Sequence, residues 1–169
     1  LVRVLNQLPV DRVPVWIMRQ AGRTDPEYKK LRKEDGRPLE KLFSDVEVSI
    51  KISLLPKKLG VDAIIMFQDI LTPLTPTGTF FRFAPGPVLS EPVRTMNQVK
   101  AIRELDSEKH LRTVGQIIKG INETLNGDLP LLGFAGSPMS LAFFMIAGSS
   151  PNQKHKEILE FIKDHSSFT

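Results

Sequence analysis

Arg19 and Arg23 bracket Gln20, Ala21 and Gly22. A guanidinium is planar, permanently charged and donates in a fixed fork, so a pair of them suits a carboxylate or phosphate gripped at two points. Gly22 lets the backbone turn without a Cβ penalty, which would let both forks converge as an anion clamp. The same residues admit a plainer use, pairing with nearby Asp25 and Glu27 to tie down a loop. Farther along, Phe67, Gln68 and Asp69 end a second apolar run, and Gly136-Ser137-Pro138 ends a third. Asp69 taken alone also reads as a cap on the turn that follows it. Cys is absent, which excludes a thiolate nucleophile, thiolate metal sites and disulfides within this chain.

The elements that must position these groups follow from apolar patterning. Val13 to Met18 is short, β-branched and aromatic, which suits a buried strand. Val61 to Phe67 reads as a second strand, apolar enough to be covered on both faces, and Leu129 to Phe134 as a third. Ser44-Asp-Val-Glu47 is a capping-box signature opening a helix with Val48, Ile52, Leu55 and Leu59 on one face, kinked at Pro56 and stopped by Gly60. A longer helix is predicted over Ser107 to Leu125, a shorter one from Pro138 to Ile146, and a last one from about Ser150-Pro151. Leu1 to Leu8, Glu27 to Arg32 and Asn97 to Glu104 read as short helices. Thr79 to Phe83 and Val88-Leu89 read as short extra strands or an ordered loop. Strands alternating with amphipathic helices predict parallel β/α units, the shared signature of a doubly wound sheet and a (β/α)₈ barrel. No GxGxxG and no GxxxxGK[ST] follows any strand. Arg19, Asp69 and Gly136-Ser137 fall at the carboxyl ends of the three strands, where such folds place their chemistry.

With 169 residues, 41% hydrophobic and 25% charged, the chain suits one globular domain over residues 1–169. The net charge of +4 fits an anionic small ligand. No basic run interleaves with aromatics, so nucleic acid is not expected as a partner, and no stretch is long and apolar enough for a membrane-spanning helix. The opening Leu1 in place of Met, and an end soon after a promising helix, lead to the expectation of a fragment.

Met18-Arg-Gln-Ala-Gly-Arg23 makes a resemblance specific. Together with Pro9 to Trp16, Pro26-Glu-Tyr28, Gly60 to Leu71, Gly86 to Leu89, Pro92-Val-Arg94 and Pro130 to Pro138, it resembles the uroporphyrinogen decarboxylase family. A family member is roughly twice this length. The resemblance implies an α/β fold, the (β/α)₈ TIM barrel, with about its first three β/α units present. It implies decarboxylation of the four acetate side chains of uroporphyrinogen III to coproporphyrinogen III, with no metal or organic cofactor. It further implies a cytoplasmic protein (plastid in a photosynthetic eukaryote) that is a homodimer when full length. By resemblance Arg19, Gln20 and Arg23 bind the tetrapyrrole polycarboxylate, and Asp69 is the central aspartate facing its pyrrole N–H groups. Arg19 and Asp69 are then the candidates for chemistry, with Phe67 an apolar wall beside them. Phe144 stands where the family normally has a tyrosine, Gln68 where serine is common, and Ala147 where glutamate is common. Thr24-Asp25 replaces a tyrosine-led pair. The family's serine and histidine lie in its carboxyl half, so His110, His155 and His165 read as solvent-facing, and a polypeptide ending at Thr169 is expected to be inactive alone. Two alternatives stay open: a corrinoid-linked methyltransferase of the same superfamily, or a truncated, non-catalytic protein that binds tetrapyrroles or a partner subunit.

Overall fold

The computed structural model describes residues 1–18, 22 and 24–164. In chain order its helices are α1 (Val2–Leu5), α2 (Pro26–Asp35), α3 (Leu39–Phe43), α4 (Val46–Leu54), α5 (Met96–Lys100), α6 (Ser107–His110), α7 (Arg112–Leu125), α8 (Pro138–Ala147) and α9 (His155–Asp164). Its strands are β1 (Ile64–Ile65), β2 (Phe81–Phe83), β3 (Pro87–Leu89) and β4 (Leu131–Leu132). Single 3₁₀ turns cover Leu55–Leu59, Thr72–Leu74 and Pro151–Gln153.

Local chemistry sets most of the helix ends. Asp25 caps α2 by accepting from the Glu27 and Tyr28 amides, and Pro26 fills the first helical position, where its missing N–H costs nothing. The cap of α4 is the Asp45 carboxylate, which accepts from the Val48 amide at 3.1 Å, rather than the predicted Ser44. Pro56 does not kink a continuous helix. It falls in the first turn of the 3₁₀ segment into which α4 passes, and Gly60, left-handed at φ 71°, closes that segment. The helix predicted over Ser107 to Leu125 is two helices, parted at Leu111.

The chain divides into two compact units. The first comprises Leu1–Arg37, Lys41–Gln68 and Arg112–Phe134. Its core joins Ile64 and Met66 to Ile117, Ile121 and Leu125 of α7, with Ile50 and Leu54 of α4 packed against them. Within it β1 and β4 pair in parallel, Ile64 opposite Leu131 and Ile65 opposite Leu132. The second unit comprises Pro38–Glu40, Asp69–Leu111 and Ala135–Thr169. There β2 and β3 form an antiparallel hairpin, and Leu71, Leu74, Leu89, Val93 and Met145 make the core. The carbonyls at the end of α8, which no intrahelical amide can reach, accept from the Leu89 and Val93 amides and from the Arg94 guanidinium.

The predicted (β/α)₈ barrel, of which three successive β/α units were expected, is corrected here. The described residues form four short strands in two separate two-stranded sheets, one parallel and one antiparallel, and neither sheet closes. The predicted first strand, Val13 to Met18, is not one. The Asp62 amide donates to the Val15 carbonyl at 2.8 Å, as a ladder would, but the Val15 amide donates to the Asp62 carboxylate at 2.7 Å. A side chain thus takes the place of the main-chain acceptor that a ladder needs. Nor is the run buried: Val13 is 81% exposed and Met18 71%. The predicted extra strands at Thr79–Phe83 and Val88-Leu89 do form, as the hairpin.

Candidate functional site

Arg19, Gln20 and Arg23 lie outside the described residues. The structure describes the chain on either side of them. On the entry side, Arg12 lays its guanidinium across both oxygens of Asp62, at 2.6 and 2.7 Å, while that carboxylate also receives the Val15 amide. Its pKa is held below the usual carboxylate value by the Arg12 hydrogen bonds first and the Val15 amide next. On the exit side, the Asp25 amide donates to the Gly22 carbonyl at 2.9 Å. Lys58 places its ammonium 3.1 Å from Asp25 Oδ1 and 3.1 Å from Glu27 Oε1. Burial pushes the Asp25 pKa up, but the Lys58 ammonium and the Glu27 and Tyr28 amides outweigh it and leave the carboxyl below its ordinary value. Among the described residues, the cation paired with Asp25 and Glu27 is therefore Lys58. Asp25 Oδ2 is buried without a hydrogen-bond partner among them.

Phe67 belongs to the first unit and is 9% exposed, with its ring 4.8 Å from that of Phe43 and 5.9 Å from that of Tyr28. Its amide donates to Ser53 Oγ at 2.8 Å, and Ser53 Oγ donates in turn to the Ser49 carbonyl at 2.7 Å. Both serines are fully buried on α4; the Ser49 hydroxyl donates to the Leu42 carbonyl at 2.7 Å, and the Ser53 hydroxyl moors the chain just beyond β1 to the helix. Gln68 donates its side-chain amide to the Phe43 carbonyl at 2.9 Å. An apolar recess of about 270 Å³, lined in part by Met66, Ile118, Leu131 and Phe134, opens at the carboxyl ends of β1 and β4.

Asp69 begins the second unit. Its Oδ1 accepts from the Leu71 amide and from the Thr72 amide at 2.8 Å, and its Oδ2 accepts from the Thr72 hydroxyl at 2.6 Å. The carboxylate thus ties down the chain leading into the Thr72–Leu74 turn, whose N-cap position is Leu71. Three local donors fix its rotamer. Phe144 sits half-buried on α8, packed against the cluster that contains Leu71 and Met145. Gly136 and Ser137 lead into α8, with Ser137 Oγ accepting from the Ser140 amide at 3.2 Å. His110 and His155 are exposed, as expected, and His165 lies outside the described residues. Among the described residues no group of three or more His, Asp or Glu side chains could hold a metal ion, and no helix is long and apolar enough to cross a membrane.

Three residues escaped sequence reasoning: Lys58, Ser53 and Thr72. Asp25-Pro26 carries the signal of a cap followed by a first-position proline, and Thr72 three residues after Asp69 the spacing of a local turn bond. Lys58 and Ser53 find partners far along the chain, and no local pattern announces them.

The model of the uroporphyrinogen decarboxylase (URO-D) family matches residues 1–167. The uroporphyrinogen decarboxylase of Alkalilimnicola ehrlichii is 44% identical over 153 residues, which cover 89% of this chain and 42% of that protein. The uroporphyrinogen decarboxylase of Trichlorobacter lovleyi is 45% identical over 141 residues, 83% of this chain and 41% of the relative. The chain thus spans about two fifths of the length of these relatives. Among solved structures, a methyltransferase from Methanosarcina mazei superposes with a TM-score of 0.63 over 98% of this chain and 47% of its own, at 18% identity, a likeness of fold alone. By the extent of the family match and the identity to these relatives, the chain belongs to the uroporphyrinogen decarboxylase family.

Proposed function

We propose that this chain is part of an enzyme that decarboxylates the acetate arms of uroporphyrinogen III to methyl groups, yielding coproporphyrinogen III. The single observation that carries the reading is membership of the family across nearly the whole chain, residues 1–167. Each step converts R–CH₂–COO⁻ and one proton into R–CH₃ and CO₂. Proton addition to the pyrrole makes the ring cationic, the electron pair of the breaking C–C bond flows into that ring, and the exocyclic carbon is then protonated while the ring proton leaves. A carboxylate beside the pyrrole N–H groups stabilises the ring while it carries positive charge. Asp69 takes this role, supported by the three local donors that preorganise its carboxylate. Arg19 and Arg23, with Gln20, bind the carboxylates of the tetrapyrrole, a task suited to forked donors. Arg19 orients the reacting acetate and takes part in proton transfer, and Phe67 and Phe144 supply apolar surface. The complete protein is proposed to be a cytoplasmic homodimer, or a plastid one in a photosynthetic eukaryote, that works without metal or organic cofactor.

The test uses the protein that carries this chain. Asp69→Asn keeps an oxygen for the Leu71 and Thr72 amides but removes the charge, so decarboxylation should fall by a factor on the order of 10² with little change in thermal midpoint. Arg19→Ala should weaken uroporphyrin binding in a fluorescence titration. Undiminished turnover in the first variant together with unchanged binding in the second would remove the site assignment.

A further inference from the structure

We infer that Lys58 and Asp62 are positioning residues for the segment that carries Arg19 and Arg23, gripping its exit and its entry from one short stretch of chain. The inference rests on the reading of those arginines as carboxylate binders. At the entry, Asp62 receives the Val15 amide at 2.7 Å and donates its own amide to the Val15 carbonyl at 2.8 Å. The Arg12 fork, on both oxygens of Asp62, fixes the carboxylate that does this. At the exit, Lys58 holds Asp25 and Glu27, each at 3.1 Å, and the Asp25 carboxylate is only 5% exposed. Between the two anchors stands Gly60, left-handed at φ 71°, which turns the chain so that residues four apart reach the two ends. The arginine segment is thus tied at Val15 and at Asp25 to the same stretch, Lys58 to Asp62.

Two physical consequences follow. Anchoring the chain on both sides of a binding segment lowers the entropy lost when a ligand arrives, so affinity rises without any new contact. Asp25 and Glu27 are also the carboxylates nearest in sequence to Arg23. With both engaged by Lys58, their competition with an external carboxylate for the guanidinium groups is weakened. Lys58 is a positioning residue, paired with Asp25 and Glu27. It acts through the chain and the charges that it holds, and its pKa, lowered by desolvation, is raised overall by these two partners.

The experiment compares Lys58→Met, Lys58→Arg, Asp25→Asn and Asp62→Asn in the protein that carries this chain. Asp25→Asn retains the helix cap while removing the charge, and Lys57→Met is the control, since Lys57 pairs with exposed Asp128 at 3.0 Å. Brief native digestion with trypsin, followed by peptide mass analysis, reads cleavage after Arg19 and after Arg23. Lys58→Met and Asp25→Asn should each raise cleavage after Arg23 by about three- to tenfold, and the double variant should exceed neither, as expected of one coupled interaction. Asp62→Asn should raise cleavage after Arg19, Lys58→Arg should restore the wild-type rate, and Lys57→Met should change nothing. KM for uroporphyrinogen should rise with Lys58→Met by about the same factor while kcat stays within about twofold, as expected for lost binding that is uniform in ground and transition states. Cleavage and KM both unchanged in Lys58→Met would overturn the inference. So would raised cleavage with unchanged KM, which would make the pair a structural tie and nothing more. If the wild-type protein neither binds uroporphyrin nor decarboxylates uroporphyrinogen, the proposed function falls, and cleavage after Arg23 alone then decides whether the clamp exists.

Discussion

Ser53 shows how much a single hydroxyl can hold. It is fully buried, accepts from the Phe67 amide and donates to the Ser49 carbonyl. Ser53→Ala would strand a buried amide at the end of β1, at a cost of about 1–3 kcal/mol, read as a lowered urea midpoint at unchanged slope. Acid reaches other residues. Asp25, Asp45 and Asp62 all have folded-state pKa values below the ordinary carboxylate value, Asp45 chiefly through the Val48 amide. A carboxylate depressed in this way contributes stability above its unfolded value of about 3.9, and that contribution is lost as pH falls through the lower folded value. The denaturation midpoint should therefore drop below about pH 4, and Asp25→Asn should flatten that drop. At this scale the sequence made Asp69 legible as the residue that ties down the turn following it, through Leu71 and Thr72. Ser53 and Lys58 were not legible, since Ser53 meets an amide fourteen residues on and Lys58 a carboxylate thirty-three residues back.

Glycine marks the ends of elements, and its two kinds of constraint separate cleanly in this chain. Gly148 ends α8 at φ 73°, and a Cβ built there would lie 2.4 Å from Cγ of Pro92, a rigid ring. Gly148→Ala should cost roughly 2–4 kcal/mol, left-handed strain and overpacking together. Gly60 has a similar φ of 71° but open space around it, so Gly60→Ala should cost only about 1–2 kcal/mol, from strain alone. Equilibrium denaturation of the two variants side by side measures the difference. Such stops are readable because a left-handed residue is a local demand: Gly36, Gly60 and Gly148 all end elements, Gly60 where expected. Val13 to Met18 was misread for the opposite reason. Its composition is that of a strand, but strand formation depends on what the partner offers, and Asp62 offers a carboxylate to the Val15 amide.

At the scale of the whole molecule, β1 and β4 fall inside the second and third predicted strands, whereas the first predicted strand and the closure into a barrel do not form among the described residues. Alternation is written in neighbouring residues, whereas closure depends on pairings between distant ones. The described chain makes one parallel pairing and one local hairpin, each within its own compact unit. Amide exchange should reflect this: peptides covering Ile64 and those of α7 covering the buried Ile117, Ile121 and Leu125 should exchange far more slowly than a peptide covering Val13 to Met18. Equal protection of all three would refute the assignment of the first unit's core.

The parallel ladder has a consequence of a different kind. Ile64 meets Leu131 only after the chain has made the hairpin, α5, α6 and α7. The entropy of closing a loop grows only with the logarithm of its length, so lengthening the exposed connection between α5 and α6 should leave equilibrium stability nearly alone. The delay falls on the rate. Folding that waits for a distant pairing is slow, so this ladder should be late to form after dilution from denaturant, behind the hairpin whose strands are near neighbours in the chain.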